Sequence, residues 1–177
     1  MKLIKPFCLW FTGLPCAGKT TLGNEICKRL SAVGIQAEML DGDEIRKELS
    51  RDLGFSQKDR KLNNERIIFV SKLLVRNHVP TLVAFVSPLN EIREMARERI
   101  KHVILVYVQT SLEECMQRDI KGMYKKALAG EIKEFTGIDS PFEEPVDPEI
   151  TIKTEYEKID ESADKIWRYL IKEGYIE

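Results

Sequence analysis

The sequence predicts a three-layer α/β domain, with a mainly parallel five-stranded sheet and helices on both faces. Three observations lead there. Short apolar runs alternate with amphipathic segments, the order that lays parallel strands beside crossover helices. The first apolar run passes through a glycine-rich turn into a helical repeat. The chain has 177 residues, 43% of them hydrophobic, which suits one compact domain over 1–177.

The elements follow in order. Phe7 to Thr12 reads as a buried strand, and Leu22, Ile26 and Leu30 mark a helix that runs to about Val33 and stops at Gly34. Ala37 to Leu40 form a second strand, and Asp43 is suited to cap a short helix through Leu49. Ile67, Val70 and Leu74 belong to a long helix ending near Asn77; Thr81 to Val86 is a strand and Asn90 to about Arg99 a charged surface helix. Val103 to Val108 is a strand, and Ser111 caps the helix that carries Cys115 and Arg118. Residues 119–148 are rich in Lys, Gly and Pro without clear periodicity, and a stretch that long is expected to be a functional lid. Ile150 to Ile152 is a last short strand, and Ile159 to Ile171 a closing helix.

Composition excludes several classes. A formal net charge of −1 leaves no electrostatic footprint for nucleic acid or an anionic membrane. No apolar run approaches the ~20 residues of a membrane span, and the start is too weakly apolar for a signal peptide, so a cytoplasmic protein is expected. Cys8, Cys16, Cys27 and Cys115 form no CxxC pair, and the only histidines are His78 and His102, so a zinc site is not expected. The cysteines read as small apolar fillers; only Cys16 stands inside the glycine-rich turn, where oxidation is conceivable without ligand.

That turn, Gly13-Leu14-Pro15-Cys16-Ala17-Gly18-Lys19-Thr20, fits G-x-x-x-x-G-K-[ST] at every fixed position. Its glycines let backbone N–H groups converge on phosphates, and the following helix points its positive end at the same anion. Lys19 is expected to reach the β- and γ-phosphates of ATP, and Thr20 to bind Mg²⁺, with Thr21 beside it. The fold is then that of the P-loop nucleoside triphosphate hydrolases. No guanine-reading N-K-x-D is present, and the size suits a kinase of a small molecule or nucleotide.

At the end of the second strand, Asp41 and Asp43 stand where open α/β sheets bind ligands. Two carboxylates there can hold Mg²⁺ through water and accept a proton from an attacking hydroxyl; a plain capped turn is the competing reading.

Beyond these motifs the sequence resembles the adenylyl-sulfate (APS) kinase family. The resemblance is carried by Asp41-Gly42-Asp43-Glu44-Ile45-Arg46, by Arg51 to Arg60, by Ala84-Phe85-Val86-Ser87-Pro88, by Arg118 to Ala127, by Glu131 to Asp139 and by Pro141 to Pro148. It implies an ATP-dependent transfer to the 3′-hydroxyl of APS, with Mg²⁺, in a homodimer. It also implies Lys19, Asp41, Asp43 and Ser87 as catalytic positions, and Thr20 and Asp41 for the metal. For the acceptor it implies Asp43, Arg46, Phe55, Arg60, Asn63, Val86, Ser87, Lys121 and Phe135, the two phenylalanines sandwiching the adenine. Arg118 and Lys121 fall to the ATP side. Ser87-Pro88 reads physically as an N-cap followed by proline at N1. The sequence departs from the family at Glu65, at Leu89-Asn90 and at Leu128, where positive or aromatic residues are usual. These losses of charge keep open a kinase of another nucleotide conjugate, such as cytidine diphosphoramidate, and a nucleotide-binding subunit without kinase activity is the weakest alternative.

Overall fold

The structure, a computed structural model, describes residues Met1–Glu177. Five strands form one sheet: β1 (Cys8–Thr12), β2 (Glu38–Asp41), β3 (Thr81–Ala84), β4 (Val103–Gln109) and β5 (Ile150–Lys153). Every pairing is parallel and the order is β2-β3-β1-β4-β5. The helices are α1 (Lys19–Ala32), α2 (Gly42–Glu48), α3 (Gln57–Arg76), α4 (Asn90–Arg99), α5 (Leu112–Arg118), α6 (Met123–Leu128) and α7 (Ile159–Lys172). The sheet is wholly parallel, where the sequence predicted mainly parallel.

Strand β1 organises the layers. It is central and fully buried, and its side chains alternate between the two faces. Phe7, Leu9 and Phe11 pack with Leu22, Ile26 and Leu30 of α1 and Ile166 and Leu170 of α7. Cys8 and Trp10 pack on the other face with Ile67, Ile68 and Val75 of α3 and Ala96 of α4. Each Leu or Ile buried in these two cores contributes about 1.5–3 kcal/mol of transfer free energy. The chain runs from β1 to β2 on one side and places β4 on the other, so a crevice opens at the carboxyl end of β1. Gly13 occupies that end, at φ 150°. A Cβ there would stand 2.4 Å from the Val108 carbonyl oxygen of β4, a separation that only glycine avoids.

Several expected boundaries shift for physical reasons. The strand expected over Thr81 to Val86 ends at Ala84, because Val86 and Ser87 give their carbonyls to the Thr12 hydroxyl (2.7 and 3.3 Å) instead of to a ladder. The cap of α2 is Asp41, whose carboxylate accepts from the Asp43 N–H, and not Asp43, which lies in the first turn. Ser87 caps no helix. Helix α4 begins at Asn90, after an N-cap Leu89 without side-chain contact, and the carboxylate of Glu143 accepts the Asn90 N–H at 2.7 Å. Within 119–148 the chain forms the short helix α6, started by Gly122 in the left-handed region at φ 65°. No helix is long and apolar enough to cross a membrane.

Candidate active site

The phosphate loop spans the end of β1 and the start of α1. Gly18 is the N-cap of α1, left-handed at φ 102°, with no side chain covering the first turn, so the helix's positive end faces the crevice. The loop carbonyls are turned away and pinned. Lys19 Nζ donates to the carbonyls of Gly13 (2.8 Å) and Leu14 (2.7 Å). Tyr124 Oη donates to Pro15 O at 3.0 Å, and the Thr154 hydroxyl donates to Ala17 O at 2.8 Å. Arg118 closes this back wall: it donates to Thr154 Oγ1 and O, both at 3.0 Å, and its Nε to Glu114 at 2.9 Å. With its carbonyls held outward, the loop leaves N–H groups for an anion.

Lys19 is buried, at 8% exposure. Burial pushes its ammonium down to about 8, against the opposing pull of Cys115, Cys16 and Asp41. The ammonium is the form that binds phosphate; it is nearly complete at neutral pH and about half remains near pH 8. The affinity for Mg·AMPPNP is therefore expected to be flat up to neutral pH and to weaken above pH 8, approaching tenfold per unit. Calorimetric titration at stepped pH measures this; a flat profile to pH 9.5 refutes it.

Beside the loop, Thr20 Oγ1 donates to Asp41 Oδ2 at 2.6 Å, while Asp41 Oδ1 holds the Asp43 N–H at 2.9 Å. One carboxylate thus ties α1 to α2. No cluster of three His, Cys, Asp or Glu ligands exists in the chain. The sparse pair Thr20 and Asp41 fits Mg²⁺, which keeps most of its shell as water and substrate phosphate. Asp43 carries its carboxylate free of the cap and into an ion pair with Lys121 from the lid.

Around Phe55, the Arg46 guanidinium lies 4.4 Å above the ring and donates to Gly54 O at 2.8 Å. Burial lowers the proton affinity of both Arg46 and Arg60, and Arg46 further lowers that of Arg60, so the two cations share one field. Arg60 donates to Phe55 O (2.8 Å), to Thr136 Oγ1 (2.7 Å) and to Glu134 O, joining the loops of the two phenylalanines. The rings themselves differ. Phe55 is 57% exposed and free to receive a flat ligand, whereas Phe135, 7% exposed, has its ring centroid 5.0 Å from that of Tyr124, edge to face. Phe135 therefore has a burial partner that its polar sequence neighbourhood did not show. Asn63 is buried and its Oδ1 has no donor, which suits an N–H or O–H supplied by a ligand.

Ser87 lies 2% exposed, left-handed at φ 42°. Its Oγ accepts from Trp10 Nε1 at 3.1 Å and donates to Asn64 Oδ1 at 2.9 Å. Asn64 in turn donates to Arg60 O at 2.8 Å. The hydroxyl is thus saturated inside the core, one step behind the arginine. Val86, half-buried, meets Thr12 through its carbonyl. Asn64, Tyr124 and Thr154 were not singled out from the sequence. Thr154 had a usable signal, standing directly after β5 at the ligand end of the sheet; Tyr124 stands within the Arg118 to Ala127 segment that carries the resemblance, without a role of its own, and Asn64 had no signal.

A concavity of about 770 Å³ lies behind Leu14, walled by Tyr107, Gln109, Phe142, Lys153 and Tyr156. Lys19, Thr20, Asp41 and Asp43 do not line it. The chemistry is placed by its functional groups, along an open crevice, and not by this cavity.

The chain as a whole is similar to known proteins. The family model described as adenylylsulphate kinase matches residues 5–153. The adenylyl-sulfate kinase of Picosynechococcus sp. is 49% identical over 168 residues, 95% of each chain. That of Halothermothrix orenii is 47% identical over 176 residues, covering 99% of this chain and 95% of its own. Among solved structures, the Mycobacterium tuberculosis APS kinase in complex with AMPPNP and APS superposes with a TM-score of 0.90 at 40% identity, over 94% of this chain and 98% of that one. With the family model matched over most of its length and relatives near half identical along it, the chain belongs to the adenylylsulphate kinase family.

Proposed function

We propose that this chain transfers the γ-phosphoryl group of ATP to the 3′-hydroxyl of adenylyl sulfate, giving 3′-phosphoadenylyl sulfate and ADP. The observation that carries the reading is the continuous line Lys19, Thr20, Asp41, Asp43, Lys121, which puts a phosphate cradle, a metal-binding pair and a carboxylate held only by an exposed lysine along one crevice. The ATP-analogue and APS complex of the M. tuberculosis relative supports the choice of substrates. Asp43 accepts the proton of the 3′-hydroxyl as its oxygen attacks phosphorus. Lys19 and the lid cations Lys121, Lys125 and Lys126 balance the charge of the phosphoryl group in transit. Thr20 and Asp41 would hold Mg²⁺, which when bound would supply further neutralisation of the phosphate oxygens. Arg46 and Arg60 face the phosphosulfate, and the exposed Phe55 ring takes the adenine from one side. Ser87, saturated by Trp10 and Asn64, serves by fixing the floor under Arg60. A homodimer is proposed on the family resemblance, and a cytoplasmic location beside it.

The test is ADP release by the purified chain with Mg·ATP, with and without micromolar APS. Release that depends on APS is the expected result. Background release only, with AMPPNP shown to bind, sinks APS as the acceptor and turns the search to cytidine conjugates. That second reading is motivated by Glu65, Asn90 and Leu128. Two of these positions carry little weight in the structure. The Asn90 side chain is engaged by Arg93 at 2.6 Å, and Leu128 is 64% exposed at the end of α6.

A further inference from the structure

We propose that Tyr124 is a positioning residue that couples occupancy of the phosphate loop to the grip on the acceptor at Phe135. The inference rests on the reading above, with ATP at the loop and APS at Phe55, and adds that the acceptor is also held by the Phe135 loop, which Arg60 ties to that of Phe55.

Tyr124 is 1% exposed, although it belongs to the six-residue lid helix α6, whose Lys125 and Lys126 are exposed. Its two ends face the two substrates. The hydroxyl donates to Pro15 O at 3.0 Å. The ring packs edge-on against Phe135, with centroids 5.0 Å apart and planes at 78°. Burial pushes the phenol's titration upward, so it stays neutral and remains a donor.

The first contact orients a binding group. Every peptide bond is trans, so fixing the Pro15 carbonyl toward Tyr124 turns the Cys16 N–H the opposite way. Cys16 is itself left-handed at φ 62°, a conformation a β-carbon disfavours, and its N–H makes no bond to the protein backbone. An anion that bonds this N–H stabilises the strained peptide in the orientation that the Tyr124 hydroxyl also favours. The second contact passes the restraint on. The loop of Phe135 is already tight: Asp139 accepts the N–H groups of Glu134 (2.8 Å) and Phe135 (2.5 Å), and Arg60 holds Thr136. Gly137 stands against Leu14 of the phosphate loop, so closely that a Cβ would meet Leu14 Cδ2 at 3.0 Å. The two loops touch, and Tyr124 is the side chain that bonds one and packs on the other. Ordering one loop lowers the cost of ordering the other, which appears as positive cooperativity between the ligands.

Tyr124→Phe removes one oxygen and keeps the ring. The measurement is calorimetric titration of APS into the full chain, with and without saturating Mg·AMPPNP, and the reverse titration. In the wild type, nucleotide is expected to tighten APS about tenfold, with the same factor in reverse. In Y124F the factor falls toward one, while APS affinity without nucleotide stays within about twofold. Phe135→Leu, which leaves the hydroxyl in place, is expected to lower the factor as well, and serves should Y124F melt. Equal factors in wild type and Y124F overturn the inference, as does a loss of both affinities with the factor unchanged, which marks a merely structural role. Independent binding of both ligands to the wild type overturns it and leaves the kinase reading standing. A wild type that binds AMPPNP and not APS overturns the acceptor reading and the inference with it.

Discussion

Lys19→Ala is expected to lower kcat/KM for phosphoryl transfer by about 10³-fold, the scale of losing one preorganised charged donor in a water-poor site. The ammonium rests on the Gly13 and Leu14 carbonyls, from which it can swing to a phosphate without leaving its burial. Stability should change little. Removal relieves a buried cation of its desolvation, and Leu14 O keeps the Ala17 N–H at 3.2 Å; only Gly13 O loses its donor, at a cost of about 1 kcal/mol. Steady-state kinetics paired with a thermal melt separate the effects. An enzyme within tenfold of wild type would remove Lys19 from the chemistry. Lys19→Arg is expected to fail nearly as badly, since a planar guanidinium does not fit a pocket that leaves 8% of the lysine exposed.

The second large effect concerns Asp43. Asp43→Asn keeps the shape and removes the proton acceptor, so kcat is expected to fall about 10³-fold with the KM for ATP within about twofold. The split is diagnostic, because Asp41 and not Asp43 bonds Thr20 and caps α2. A variant that raised the KM for ATP while sparing kcat would place Asp43 in nucleotide binding instead. The ion pair with Lys121 adds a requirement. The lid ammonium must leave this carboxylate before a hydroxyl can approach it, and both partners are exposed, so the exchange costs little.

Much of this was legible because it is local. The phosphate loop is a contiguous motif, and strands such as Cys8–Thr12 announce themselves by continuous apolar runs. The acceptor side was named by resemblance; its geometry came from contacts between distant segments. Ser87 shows the limit. Ser-Pro is a good cap locally, but the Trp10 indole of the neighbouring strand needs a buried acceptor, and satisfying it outweighs the cap. Asp43 shows a smaller one: in Asp41-Gly42-Asp43 either carboxylate can cap, and the one whose free oxygen also meets Thr20 takes the position. Helix α6 was hidden because a six-residue helix is too short to display a period.

Arg60 carries a final consequence. A guanidinium has five N–H groups, and here three of them are committed to Phe55 O, Thr136 and Glu134 O. The remaining donors lie in the same rigid plane. An oxyanion that docks on that plane is therefore held at a set offset from both phenylalanine loops, so the group that grips charge also fixes how far away the ring must be. Under the proposed function the crevice would work as a ruler: it would measure the span from a nucleobase to an acidic group, and select a conjugate by length before any contact with the group to be phosphorylated.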